Sequence, residues 1–297
     1  MKNMSTATAT ACATQLEHAL GLMARGFSER TVDVGGSLVS YRSCGTAVPG
    51  GKTVVLLHGI GSGAASWLQC ALDLQQDAQV VAWNAPGYGG SSALPMARPS
   101  AADYAMRLEQ LLQALDVRNC VLVGHSLGAL MASAYVAAGY TRAEQLLLVS
   151  PAQGYGGGDK RVRGEEIAQQ RLAALENLGI AGMALKSPER MLSVQASEFA
   201  RAWVRWNTQR LNPASYTQAV YMLCGDDIHR YRLPAAGPAC AIYCGADDVV
   251  TTPQDSRMLA DSLRLPFQLI EAAGHACYIE QPQAVAAVIR RHLDQLS

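Results

Sequence analysis

The sequence predicts an α/β protein whose mostly parallel central sheet carries helices on both faces and an inserted helical cap. Three observations lead to this. Short, continuous apolar runs alternate with helical patterns through most of the chain. That alternation lapses over one long internal stretch. The 297 residues are enough for one large core domain carrying an insertion.

Residues 1–30 read as an N-terminal extension, disordered at first and helical over 15–25. The opening MKNMSTATATACATQ has one early lysine, but threonines break its alanine run, so it lacks the continuous apolar segment of a leader peptide. Two β-like runs at 31–34 and 38–42, separated by Gly35-Gly36, read as a hairpin. Apolar runs follow at 53–57, 80–83, 121–123, 146–149 and 239–243, each short and lying between helical patterns, as strands buried on both faces should. Helical periodicity is clearest at 101–115, 127–138 and 282–296, where Pro282 can take the first helical position. From residue 153 to 236 the pattern becomes a Gly-rich turn (Gly154, Gly156, Gly157, Gly158) and long helical stretches. Such a segment is expected to be a helical cap inserted into a core made of 31–152 and 237–297.

Lys plus Arg and Asp plus Glu both number 24. No global field therefore favours nucleic acid, an anionic membrane or a highly charged substrate, and no apolar stretch is long enough to span a bilayer. The expected partner is a small molecule, largely apolar or weakly charged; the sequence leaves room for a homo-oligomer. The eight cysteines are scattered, none in a C-x-x-C pair, and read as small buried hydrophobes of a reducing, cytoplasmic compartment.

The strongest local signal is Gly124-His125-Ser126-Leu127-Gly128, directly after the apolar run Val121-Leu122-Val123 and directly before a helical pattern. This G-x-S-x-G stands in the strand–turn–helix context that gives the motif meaning: a sharp, strained turn leaves the serine hydroxyl exposed at the strand's carboxyl end. A serine at its free pKa is a weak nucleophile, so it needs a base, and the base needs an orienting acid. His275, in Ala273-Gly274-His275, follows the β-like run Phe267–Ile270 and is expected at the same edge of the sheet. Asp248 follows the 239–243 run in Gly245-Ala246-Asp247-Asp248, with Asp247 its rival. The order Ser, Asp, His suits this architecture.

Acyl transfer also needs rigid N–H donors for the developing oxyanion. Leu127 is expected to supply one, and Ile60 the second, from the loop His58-Gly59-Ile60-Gly61-Ser62-Gly63. A phosphate-binding loop is the competing reading of that run, but it lacks the G-K-[ST] ending and the G-x-G-x-x-G spacing.

Together Leu56-Leu57-His58-Gly59, the run from Asn84 to Ser91, the Ser126 motif, Gly245-Ala246-Asp247-Asp248 and Gly274-His275 resemble the α/β-hydrolase superfamily of esterases, lactonases and carbon–carbon bond hydrolases, over roughly residues 31 to 297. The resemblance implies the α/β-hydrolase fold, places the acid three residues past Gly245, and favours a serine hydrolase cleaving a small carboxylic ester or lactone through an acyl-enzyme. Serine at the elbow argues against a dehalogenase or epoxide hydrolase. The run from His58 to Trp67 is spaced like that of meta-cleavage-product hydrolases, although His125 stands where those enzymes usually carry Asn and Ala276 where they carry Trp. Carbon–carbon bond hydrolysis is the alternative enzyme reading, and a low-turnover ligand receptor the non-catalytic one. No metal or organic cofactor is expected: Asp226, Asp227 and His229 read as caps and turn residues, and His58 and His125 as shapers of loops. Trp203 and Trp206, three apart on one helical face, are candidates for lining the acyl pocket, with packing of the cap on the core the alternative.

Overall fold

The computed structural model describes residues 6–46, 51–234 and 237–296. Its sheet grows from the apolar runs. The strands are β1 (Glu29–Asp33), β2 (Leu38–Cys44), β3 (Thr53–Leu57), β4 (Gln79–Trp83), β5 (Cys120–His125), β6 (Ala143–Val149), β7 (Ala239–Gly245) and β8 (Phe267–Ile270). They are ordered β1-β2-β4-β3-β5-β6-β7-β8. β1 and β2 pair antiparallel, as the diglycine between them requires, and β2 pairs antiparallel with β4; every other pairing is parallel.

Side chains of a strand alternate between faces, so continuous apolar runs feed two cores. Val55, Leu57, Leu122, Leu146 and Leu148 face the layer of α3 (Ala101–Ala114), α4 (Leu127–Ala137) and α8 (Pro253–Leu263). Val54, Leu56, Val123, Leu147 and Val149 face α1 (Thr6–Gly26), α2 (Leu68–Leu74), α9 (Cys277–Glu280) and α10 (Pro282–Leu293). Burying each such side chain contributes about 1.5–3 kcal/mol, enough to fix which face each helix covers.

From β3 the chain runs outward to β4, then crosses back to β5 on the other side of β3. The crevice at this switch point lies beyond the carboxyl ends of β3 and β5, where such sheets bind ligands. The loop after β3 carries Ile60 and the turn after β5 carries Ser126, so the topology alone brings them together.

One expectation changes at the periphery. The extension is helical from Thr6, not from residue 15. Leu16, Ala19, Leu20 and Met23 recur at helical spacing, and Ala19, Met23 and the following Phe27 are buried against the α2–α10 side. Tertiary packing thus outweighs the modest helix propensity of threonine. Residues 1–5 lie outside the described residues.

Between β6 and β7 the chain leaves the sheet for α5 (Arg161–Met191), α6 (Glu198–Thr208) and α7 (Pro213–Gly225). Gly179, at φ 61° and ψ 177°, breaks α5 into two helices. Ser197 caps α6 by accepting from the Ala200 N–H, and Asn212 caps α7 ahead of Pro213. Asp226 ties the insertion back to the core: its Oδ2 accepts the Ala101 N–H at 2.7 Å, at the start of α3, and the Tyr231 hydroxyl at 2.6 Å. Asp227 accepts the His229 N–H at 2.9 Å. Both carboxylates therefore serve as backbone caps, and among the described residues no group of three His, Cys, Asp or Glu is arranged to hold a metal ion.

Candidate active site

β5 ends at His125 and α4 begins at Leu127, so Ser126 alone makes the reversal, at φ 52° and ψ −115°. A residue with a β-carbon is strained there. Three hydrogen bonds hold it: the Ser126 N–H donates to the Val149 carbonyl at 3.0 Å, and the Ser126 carbonyl accepts from Ala129 at 3.0 Å and Ala152 at 3.1 Å. The flanking glycines answer to close approach. A β-carbon on Gly124 would lie 2.5 Å from the Gly128 carbonyl oxygen, and one on Gly128 2.6 Å from that of Leu57. A larger residue at Gly124 would push α4 off β5, and one at Gly128 would push it off the end of β3.

The facing loop is held by His58. Its Nε2 accepts the Ala85 N–H at 3.0 Å, so Nδ1 carries the proton and donates to the Gly59 carbonyl at 2.9 Å. The Tyr88 hydroxyl donates to the Ile60 carbonyl at 2.9 Å. These contacts fix the peptide of Ile60, whose own N–H makes no backbone hydrogen bond among the described residues. Leu127 is the first residue of α4, so its N–H has no intrahelical acceptor. Ile60, Leu127, Ser126 and His275 all border one cavity of about 660 Å³.

Behind His275 lies Asp248, not Asp247. The two are buried, with Nδ1 and Oδ2 2.8 Å apart, whereas Asp247 is exposed. Asp248 Oδ1 accepts the N–H groups of Val250 at 2.7 Å and Thr251 at 3.0 Å, and Oδ2 accepts the Thr251 hydroxyl at 2.9 Å. Burial works to raise the Asp248 pKa, but the imidazole and these N–H donors outweigh it and hold the carboxyl below the usual carboxylate range.

Sequence reasoning passed over Thr251 and Glu280. Glu280 accepts from the Ser193 hydroxyl at 2.6 Å and from the Gly274 N–H at 2.7 Å, stapling the end of the α5 segment to the loop that carries His275. Partners so distant in sequence leave no local pattern to read.

His125 is buried beside the site, its Nε2 2.9 Å from the His275 carbonyl, which it meets as a donor. Burial pushes its pKa down to about 3, aided by the facing His275, and burial pushes that of His58 down to about 4. In the unfolded chain both titrate near ~6.5. A depressed folded-state pKa contributes stability that is fully present above the unfolded value and drains away as pH falls toward the folded one. Between about pH 6.5 and pH 4 each histidine should therefore cost up to about 1.4 kcal/mol per pH unit. The melting temperature is expected to hold nearly level from pH 7.5 to about 6.5 and then to fall steadily to pH 5.0, and His125→Asn, which keeps a donor for the His275 carbonyl but cannot titrate, should flatten the decline. A flat wild-type profile over that range would contradict this account.

The two tryptophans stand elsewhere. Trp203 is 1% exposed and its Nε1 donates to the Ser66 carbonyl at 3.5 Å. Trp206 stacks on it at 5.0 Å and carries the Arg210 guanidinium over its ring, beside a separate cleft of about 50 Å³. Neither borders the 660 Å³ cavity, so the expectation that they line the acyl pocket is corrected. Their shared face of α6 packs on the turn Ala64–Trp67 instead. The insertion contributes to the cavity mainly through α5, including Ile167, Ala174, Leu178, Met183 and Met191.

A strained elbow at a topological switch point of a mostly parallel sheet defines an α/β hydrolase. The chain belongs to the Alpha/beta hydrolase family, whose sequence model matches residues 54–288. It is 30% identical over 251 residues to a pimeloyl-[acyl-carrier protein] methyl ester esterase of Aeromonas hydrophila subsp. hydrophila, covering 80% of this chain and 94% of the relative. To a putative carbamate hydrolase, RutD, of Stutzerimonas stutzeri it is 24% identical over 269 residues, 85% of this chain and 96% of that one. Among solved structures, the enol-lactonase from Burkholderia xenovorans LB400 superposes with a TM-score of 0.78 at 19% identity, covering 89% of this chain and 100% of the other, a likeness of fold. No helix among the described residues is long and apolar enough to cross a membrane.

Proposed function

We propose that this hydrolase cleaves a small carboxylic ester or lactone through an acyl-enzyme, with Ser126 as nucleophile, His275 as base, Asp248 as orienting acid, and the Ile60 and Leu127 N–H groups as oxyanion donors. One observation carries the reading: the strained serine, two uncommitted N–H groups and the imidazole border a single cavity, with Asp248 buried behind the imidazole. With its proton on Nδ1, held by Asp248, His275 has Nε2 free to accept the Ser126 hydroxyl proton as Oγ attacks the carbonyl. The tetrahedral oxyanion is met by the two N–H groups. The imidazolium then protonates the departing alkoxide, and water repeats the sequence to release the acid. The helical insertion between β6 and β7 acts as a cap that shapes the acyl side.

A panel of p-nitrophenyl esters, lactones and a coloured meta-cleavage dienoate tests this. Turnover of esters or lactones is expected, with a fluorophosphonate adduct on Ser126 by mass spectrometry. Cleavage of the dienoate alone would shift the assignment to carbon–carbon bond hydrolysis. Stoichiometric binding without turnover would make the protein a receptor.

A further inference from the structure

The cavity's charge departs from that of the chain. Lys plus Arg equals Asp plus Glu over the whole sequence, at 24 each, yet the cavity wall carries Lys160, Arg163, Arg171, Lys186 and Arg190 against one carboxylate, Asp255. Asp255 is already engaged, accepting the Thr252 hydroxyl at 2.8 Å at the start of α8. Arg163 is answered by Glu166 at 2.9 Å, whereas Arg171 donates to a neutral partner, the Tyr216 hydroxyl, at 3.3 Å. Lys160, Lys186 and Arg190 make no ion pair among the described residues.

Lys186 and Arg190 are the sharpest case. They stand four residues apart, one turn along the second half of α5, where two like charges destabilise a helix. Their position is fixed on both sides. The Met191 carbonyl accepts the Ala276 N–H at 2.7 Å, so this end of α5 abuts the residue following His275. Ser187 Oγ lies 3.2 Å from Thr208 Oγ1, whose hydroxyl donates to the Gly61 carbonyl in the loop that holds Ile60. The turn of α5 that carries the two cations thus packs between the loop of His275 and the loop of Ile60, and both exposed side chains border the cavity. A concave wall of one sign concentrates counter-ions, and an ammonium beside a guanidinium fork suits an oxyanion with more than one acceptor oxygen.

We propose that Lys186 and Arg190, supported by Lys160 in the turn that leads into α5 and by Arg171 on the first half of that helix, form an anion-recognition subsite, and that the substrate carries a second, anionic group, a carboxylate or phosphate, apart from the carbonyl that Ser126 attacks. This rests on the hydrolase reading and names its substrate class. It replaces the weakly charged substrate that overall neutrality suggests.

The test pairs binding with turnover. Half-methyl esters of straight-chain dicarboxylic acids, their neutral dimethyl esters, and methyl esters bearing a terminal phosphate are titrated by calorimetry into Ser126→Ala protein and turned over by the wild type. The anionic esters should bind, and show kcat/KM, on the order of tenfold better than the neutral ones at low salt, with the preference shrinking as ionic strength rises. The anion with the larger preference separates carboxylate from phosphate. Lys186→Gln with Arg190→Gln should erase the preference and Lys186→Arg should keep it. Arg118→Gln, which removes an exposed cation beside Asp116 outside the cavity, should leave it unchanged. Equal binding of charged and neutral esters, or a preference that survives the double substitution, overturns the subsite whether or not turnover occurs. Anion-dependent binding without turnover in the wild type upholds the subsite and overturns the hydrolase reading.

Discussion

Ser126→Ala is expected to leave the fold intact and to remove about four to six orders of magnitude of ester turnover. The elbow does not depend on the hydroxyl. What holds residue 126 at its positive φ is its backbone, bonded to Val149, Ala129 and Ala152, and alanine carries the same β-carbon into the same strained conformation. Thermal unfolding should therefore match the wild type, while kcat on any accepted ester collapses. The slow residual rate should come from the Ile60 and Leu127 donors, which the substitution leaves in place. Near-normal turnover in a folded Ser126→Ala protein would sink the serine mechanism. Loss of both activity and fold would instead show that the hydroxyl supports the turn.

How much of this was legible in the sequence depends on the range of each interaction. The runs at 53–57 and 121–123 read directly as strands because a segment buried on both faces must be apolar throughout, and the structure buries every residue of β3 and β5. The motif around Ser126 was legible because its glycines answer to contacts with β3 and α4 that any such turn must make. The helical start at Thr6 was not, since alternating Ala and Thr leave a marginal helix that burial of Ala19, Met23 and Phe27 decides. Trp203 and Trp206 show another limit. Helical spacing tells which side chains share a face and is silent on what that face meets. Charge behaves likewise: a sum of zero over the chain conceals a wall where cations outnumber carboxylates. The choice between Asp247 and Asp248 could not come from periodicity, because the two are adjacent in a turn beyond β7.

That choice gives the second large expected effect. Asp248→Asn should lower kcat on the order of ten-thousand-fold, the scale of loss when an amide replaces the acid of a serine protease triad, and Asp247→Asn should change it little. The hydrogen bonds around Asp248 say why the amide cannot compensate. Oδ1 is held by the N–H groups of Val250 and Thr251, at 2.7 and 3.0 Å. An asparagine must keep its oxygen there or set its amide N–H₂ against two donors. Its N–H₂ then faces Nδ1 of His275, where Oδ2 now sits at 2.8 Å. That forces the imidazole into the tautomer with its proton on Nε2, which cannot take the Ser126 hydroxyl proton. The side chain of Asp248 is 0% exposed, so water offers no relief, and the imidazolium formed during attack loses its counter-charge. Among the described residues Asp247 meets this network only through its backbone, whose N–H donates to the Ala273 carbonyl at 2.9 Å, a bond that Asp247→Asn preserves. The comparison requires kcat for both variants on one ester at pH 7.5, with melting temperatures to show that each is folded. A slower Asp247→Asn enzyme, or an Asp248→Asn enzyme within about tenfold of wild type, would remove Asp248 from the role of orienting acid.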